Sequence, residues 1–380
     1  MTIAWLLDTY PSPTETFIAR DIQALRARGL TVQVWALHAG EGAHTIPQLS
    51  AKNALAATLR DSTSGAWRER PHFWQATGTQ WARVCRDSLR DVQWVHAGWA
   101  NYPAWLACGA ARELGMPWSF SAHARDLWVD GGDLTAKLGA ARFALCCTRE
   151  GIARLRKFTP NAAKALYAPH GLPIADFPFI AWQPPAPQGT HPILSVGRLV
   201  PKKGFDVLIE AVALLRAGGL DATASIVGEG PDHAPLEALI ARLGLGDYVR
   251  LEGALPASRV QHLMSQAIAQ GALFALPCRV LPDGDRDGLP NVLLEAAACG
   301  LPLITTLAGS VTDLVDEMTG VLCPPDNPRA LQASLRNAWH DPAVTQERCR
   351  VARQSVLAGH DSARTGEVLA QTFLKARAAE

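Results

Sequence analysis

Short apolar runs alternate along the chain with stretches whose hydrophobic positions recur at helical spacing. In the first half the runs are Ile3–Leu7, Thr31–Leu37, Val92–His96, Trp118–Ala122, Ala144–Thr148 and Ala165–Ala168. In the second they are Ile193–Val196, Ala222–Val227, Val249–Leu251, Leu273–Leu276, Leu301–Thr305 and Val321–Cys323. Most are apolar nearly throughout, the pattern of strands covered on both faces. Helical patterns fill the intervals, among them Glu15–Arg28, Pro103–Glu113, Phe205–Leu215, Pro235–Leu243, Val260–Gln270 and Val292–Cys299. Strand and helix in alternation predict parallel sheets between helical layers. The stretch Phe179–Pro192 breaks the rhythm with four prolines and reads as a linker. The expectation is an α/β protein of two doubly wound, Rossmann-like domains, residues 1–180 and 181–360. Such sheets bind ligands beyond the carboxyl ends of their strands, which points to a cleft between the two domains.

Composition narrows the class. With 380 residues, 48% hydrophobic and 19% charged, the chain is globular and large enough for two cores. A formal net charge of +1 gives no global field for nucleic acid. No run of 18 uncharged apolar residues predicts a spanning helix. The opening MTIAWLLDTYP lacks a basic leader, and the eight cysteines form no C-x-x-C pair. A reduced, cytoplasmic enzyme is therefore expected. The charge is unevenly spread: 19 Lys+Arg face 14 Asp+Glu in residues 1–180, and 17 face 21 in residues 181–380. A basic first half suits an anionic partner. Trp67, Trp74 and Trp81 recur every seven residues among Arg68, Arg70, Arg83, Arg86 and Arg90. That stripe reads either as a peripheral contact with the inner face of the cell membrane or as packing within the first domain.

The second half holds the most specific motifs. Ile193–Val212 is a strand, a loop with two glycines and the cations Arg198, Lys202 and Lys203, then an amphipathic helix. Arg198 and Lys203 at a strand end, beside a helix N-terminus near Gly204, suit a leaving diphosphate. Val227-Gly-Glu-Gly-Pro231 fails as a dinucleotide fingerprint, because position 233 is His. Gly228 and Gly230 mark a tight turn, either structural or against a ligand. Asp283-x-Asp285-x-Asp287-Gly288 resembles a calcium loop, but the twelfth position is Leu294. A metal-anchoring Asp-x-Asp is a second reading. The third is a loop, Asp287-Gly288-Leu289-Pro290, before a helix starting near Asn291, with Asp287 and Glu295 each able to accept two hydrogen bonds from vicinal sugar hydroxyls.

In the first half, His123 stands where a strand runs out, with Arg125 and Asp126 close behind. A histidine so placed, oriented by a carboxylate, suits contact with a reacting group. His96 ends another strand and reads equally as turn packing. Thr14 precedes Phe17 and Ile18 as a helix cap, with its hydroxyl a second candidate contact.

In order along the chain, these segments resemble the retaining glycosyltransferases of family 4, which have the GT-B fold. Tyr10-Pro-Ser-Pro-Thr-Glu-Thr-Phe17 is similar to that family's early loop, His96-Ala-Gly-Trp-Ala100 to its histidine turn, and His123-Ala-Arg-Asp126 to its H-x-x-D segment. Pro169-His-Gly-Leu-Pro-Ile-Ala-Asp-Phe177 corresponds to the end of its first domain, with His170 in place of the usual Asn. Gly197-Arg198 to Lys203-Gly204 matches G-R-x-x-x-x-K-G, and Val227–Pro231 matches V-G-x-G-P. Asp287 and Glu295 occupy the E-x(7)-E positions, with Asp for the first Glu, in wording closest to bacterial exopolysaccharide enzymes of the colanic-acid type.

The resemblance implies two Rossmann-like domains around a central cleft, and a C-terminal helix at about 360–380 able to pack back on the first. It implies metal-independent, retaining transfer of a hexose from a UDP- or GDP-linked donor to a glycan or lipid-linked acceptor, with no cofactor beyond the donor substrate. Arg198 and Lys203 would hold the diphosphate and Glu295 the ribose. Asp287 and the backbone of Gly288 to Asn291 would hold the sugar, with Gly228 and Gly230 beside the nucleotide. His123 would lie near the anomeric carbon, and Thr14, His96 and Asp126 on the acceptor side. The alternatives are a nucleotide-sugar binding protein with weak or no transfer, and a phosphorylase of the same fold.

Overall fold

The structure, a computed structural model, describes residues 1–12, 14–47 and 70–379. They form two compact units, Met1–Gly171 with Ser362–Glu380, and Leu172–Asp361.

In the first unit β1 (Thr2–Tyr10), β2 (Thr31–Ala39), β3 (His44–Thr45), β4 (Trp94–Ala97), β5 (Trp118–Ala122), β6 (Phe143–Cys146) and β7 (Ala165–Tyr167) make one parallel sheet. Its order is β3-β2-β1-β4-β5-β6-β7. The second unit repeats the plan with β8 (His191–Val196), β9 (Ala222–Val227), β10 (Val249–Leu251), β11 (Leu273–Leu276), β12 (Leu303–Thr306) and β13 (Val321–Cys323), in the order β10-β9-β8-β11-β12-β13. In each sheet the winding reverses beside the first strand, between β1 and β4 and between β8 and β11. In sheets of this kind ligands bind in the crevice at that point, beyond the carboxyl ends of the strands.

The predicted strands are all present. The extra one, β3, is two exposed residues with no apolar run to announce it. Both faces of the first sheet are covered. Trp35, Trp74, Trp81 and Tyr102 build one core, and Ile3, Trp5, Leu7, Phe17 and Ile22 build the other. The latter is closed by the helix Ser362–Ala378, whose Phe373 ring lies 5.5 Å from Phe143 and 5.9 Å from Trp94.

One open reading is decided and one expectation changes. Of the two readings of the tryptophan stripe, packing within the first domain holds for its described members: seven residues are two helical turns, so Trp74 and Trp81 share one side of the helix Pro71–Val84, and that side faces the sheet. Trp81 packs 5.2 Å from Trp35, and Trp74 stacks on Tyr102 at 4.4 Å. Arg83 and Arg86 point the other way, paired with Glu113 at 2.9 and 3.6 Å. Trp67 and Arg68 lie outside the described residues. The proline-rich stretch is no linker. The chain passes to its second unit at Leu172, and the stretch itself is anchored there by Trp182, fully buried and donating Nε1–H to the Ala272 carbonyl at 2.8 Å.

Candidate active site

The crevice beside β8 and β11 collects the second unit's charged residues. After β8 the chain runs through Gly197 and the exposed Arg198 into a 3-10 turn, Pro201–Lys203, and then the helix Phe205–Ala217. After β11 it runs through Cys278 and Arg279 to a turn closed by the Leu281 N–H on the Asp285 carbonyl and the Gly284 N–H on the Leu281 carbonyl, both 2.9 Å. The two loops are tied together. Lys203 Nζ lies 2.6 Å from Asp287 Oδ2, and Lys202 Nζ lies 3.0 Å from Asp285 and 3.6 Å from Asp287. The Arg279 guanidinium joins Asp206 and Asp326, while the Arg279 backbone N–H donates to the Lys202 carbonyl at 2.9 Å. Cys278 Sγ donates to Asp287 at 3.4 Å.

Lys203 is buried, Asp287 is half-buried with its side chain 15% exposed, and both are charged. Burial alone lifts the Asp287 carboxyl, but Lys203 and then Lys202 outweigh it and hold the pKa below the usual carboxylate value. For Lys203, burial pulls the ammonium down, Asp287 overcomes it, and the net shift is upward, against a smaller repulsion from Arg198. Burial, with Asp287 second, pushes the Cys278 thiol up, so it stays a protonated donor. A depressed carboxylate contributes stability above its unfolded value of about 3.9, lost as pH falls through the folded one. A raised lysine contributes below about 10.4, lost as pH rises through its folded value. The stability difference between wild type and a Lys203→Met, Asp287→Asn double variant is expected to be level from about pH 5 to pH 9 and to fall at both extremes. Chemical denaturation across that range measures it, and a difference as large at pH 3 as at pH 7 contradicts the pair.

Gly228 and Gly230 have a packing role. A Cβ on Gly228 would stand 1.9 Å from the Gly197 carbonyl oxygen, and one on Gly230 would stand 2.2 Å from that of Leu199. The β9 loop therefore lies directly on the Arg198 loop, bonded by the Leu199 N–H to the Glu229 carbonyl at 2.8 Å. Gly288 and Leu289 lead to Pro290, which caps the helix Asn291–Cys299, with half-buried Glu295 one turn in. Sequence reasoning passed over Lys202, Cys278 and Arg279. It also missed Gly309, whose Cβ would stand 2.0 Å from the Asp287 carbonyl oxygen. Nothing local marks them, since each acts on a loop distant in sequence.

In the first unit, His123 follows β5 with its side chain 12% exposed, ringed by Trp99 at 4.4 Å and Phe17 at 5.1 Å. Asp126 is buried beneath it, accepting the His123 N–H at 2.9 Å and the Asn101 N–H at 3.0 Å. Asp126 thus fixes the strand end and does not reach an acceptor. His96 is also corrected. It is fully buried on β4, with Nδ1 2.7 Å from Ser119 Oγ and Nε2 3.1 Å from Ser121 Oγ. Burial first, then the neighbouring His123, brings its pKa to about 3, so it is a neutral core group. Thr14 does not cap the helix, which starts at Thr16 behind Glu15. Thr14 is exposed, its hydroxyl 3.4 Å from that of Ser12.

The same fold occurs in solved structures. Anabaena HepE in complex with UDP covers 99% of this chain and all of its own with a TM-score of 0.73 at 16% identity. Sucrose-phosphate synthase from Thermosynechococcus elongatus covers both chains completely, at 0.76 and 18%. Two parallel Rossmann-like sheets in this order are the GT-B architecture. Residues 176–355 match the family described as glycosyl transferases group 1. WcaL of Escherichia coli (strain K12), which bears the name of a colanic acid biosynthesis glycosyltransferase, is 27% identical over 88% of this chain and 90% of its own length. The chain is thus a GT-B enzyme resembling exopolysaccharide glycosyltransferases.

Proposed function

We propose that the chain transfers a hexose, with retention of configuration, from a UDP- or GDP-linked donor to a glycan or lipid-linked acceptor in polysaccharide synthesis. The observation that carries this reading is the Lys203–Asp287 pair with Arg198 beside it, at the point where the second sheet reverses. Without donor, Asp287 occupies the cation that a diphosphate would take. The arriving diphosphate exchanges for that carboxylate on Lys203 and frees Asp287 to accept hydrogen bonds from the sugar. Glu295 takes the ribose hydroxyls. Gly228 and Gly230 let the β9 loop support Arg198, and His123 attends the reacting sugar.

Support for a nucleotide-sugar donor comes from HepE, whose structures hold UDP and UDP-glucose. Support for a metal-free reaction comes from Lys202 and Lys203, which already neutralise Asp285 and Asp287. A divalent cation on the Asp-x-Asp would have to displace both. Breaking the glycosyl–phosphate bond builds negative charge on the leaving oxygen, where Arg198 and Lys203 stabilise it. The departing diphosphate then takes the acceptor proton.

A thermal-shift panel of UDP and GDP sugars tests the donor. One sugar nucleotide at a hundred times its dissociation constant is expected to add about 2.7 kcal/mol of stability, and product analysis with a lipid-diphosphate acceptor should then show a retained anomeric centre. No shift with any donor, or an inverted product, overturns the reading.

A further inference from the structure

Three metal-ligating side chains meet in the first unit, outside the lysine–aspartate cluster. One ring nitrogen of His123, one of His170 and Sγ of Cys147 all lie within 4.8 Å of one another. They line a cavity of about 10 Å³, together with Asp21 and Ser121, which is room for one water-sized particle.

The sheet itself delivers them. His123, Cys147 and His170 follow the carboxyl ends of β5, β6 and β7, three consecutive neighbours held in register by Ala122 opposite Cys146 and Cys146 opposite Tyr167. Strand pairing thus sets the spacing of His123 and Cys147, and His170 follows three residues past the end of β7. The rings of His123 and His170 are nearly parallel, 14° apart with centroids at 5.5 Å, and Phe17 packs 4.2 Å from His170. His123 Nδ1 stands 3.7 Å from Asp126, beyond hydrogen-bond reach, whereas His170 Nδ1 is hydrogen-bonded to Asp21 at 3.1 Å. Carboxylate–histidine pairs of this kind orient ligating imidazoles and raise their basicity.

We propose that His123, Cys147 and His170 bind one thiophilic divalent cation of the zinc class, with water as the fourth ligand. Two imidazoles and a thiolate suit zinc and reject magnesium or calcium, which take oxygen. Bonds of about 2.0–2.3 Å bring tetrahedral ligand atoms to roughly 3.5 Å apart, so side-chain rotation must draw the three inward by about 1 Å. Binding releases the Cys147 thiol proton to solvent, and no other bond changes. A cation held by His123 removes that imidazole from the sugar, so zinc is expected to inhibit transfer reversibly. That consequence rests on the role proposed for His123, and the site does not.

Cobalt(II) titration of the full chain, without donor and under a thiol-free reductant, tests the site. A thiolate-to-cobalt charge-transfer band with the visible bands of a tetrahedral centre should saturate at one cobalt per chain and disappear on adding zinc. Cys147→Ser should remove the charge-transfer band, and Asp21→Asn should keep it while weakening cobalt affinity by about 10–100-fold. No charge-transfer band in the wild type, or one that persists in Cys147→Ser, overturns the site. Should Cys147→Ser not fold, His170→Gln decides, and cobalt affinity unchanged by that variant is equally fatal. Because no donor is present, a chain that binds cobalt but no sugar nucleotide refutes only the donor reading, and the converse refutes only the cation site.

Discussion

Lys203→Ala is expected to lower turnover by about a hundredfold or more and to destabilise the protein as well, whereas Arg198→Ala should do only the first. A fixed cation at a leaving oxygen is worth about 2.7–4 kcal/mol of barrier, or roughly two to three powers of ten in rate. Both residues are placed to supply it under the proposed chemistry. Their environments differ, however. Lys203 is buried 2.6 Å from the half-buried Asp287, so its removal strands a largely desolvated carboxylate. Breaking such a pair from one side costs about 3–5 kcal/mol, and Lys202, still 3.6 Å away, keeps the loss near the lower figure. Arg198 is exposed and no ion pair ties it among the described residues, so its loss should leave the melting temperature nearly unchanged. Adding Asp287→Asn to Lys203→Ala should recover part of the stability and none of the rate. Steady-state kinetics beside thermal melts of all four proteins check this. Near-normal rates in both single variants would remove the cations from the mechanism.

How much of this was legible in the sequence follows from where each interaction is recorded. The strands were, because a strand buried on both faces must be apolar at successive positions, and β8, β9 and β11 are read directly from such runs. The cation loop was too, because Gly197, Arg198, Lys203 and Gly204 are close in sequence. Its partner was legible as a motif, but the salt bridges between the loops were not, since 84 residues separate Lys203 from Asp287 and no periodicity spans them. His96 shows the opposite failure. A polar residue at a strand end looks like chemistry until the hydroxyls of Ser119 and Ser121, on the neighbouring strand, are seen to satisfy both ring nitrogens. Trp74 and Trp81 stayed open between two readings for a related reason: an aromatic stripe beside arginines has the same pattern whether lipid or a sheet lies beneath it. Cys147 was unremarkable in sequence and His170 stood out only as a replacement for the usual Asn, and it takes the fold to bring them to His123.

Gly204→Ala should be among the most damaging single-methyl changes in the second unit, because it strikes the junction between the two charged loops. Gly204 lies at φ +67°, and an added Cβ would stand 2.0 Å from the carbonyl oxygen of Pro277, at the end of β11. The left-handed backbone alone costs a non-glycine residue about 1–2 kcal/mol. The contact adds overpacking of about 1–3 kcal/mol, since backbone stands on both sides and no side chain can swing away. Together these lower the melting temperature on the order of 10 °C. Gly219→Ala is the control. It carries a similar φ of +83° with nothing within 4 Å of the added carbon, so it should show the backbone cost without the collision. If the loops must part to admit the methyl group, Lys203 and Asp287 separate with them, and Gly204→Ala should also lose the donor-induced thermal shift that Gly219→Ala retains. Equal melting temperatures for the two variants would mean that the Pro277 carbonyl yields freely, and that the β8 and β11 loops are not rigidly joined at this point.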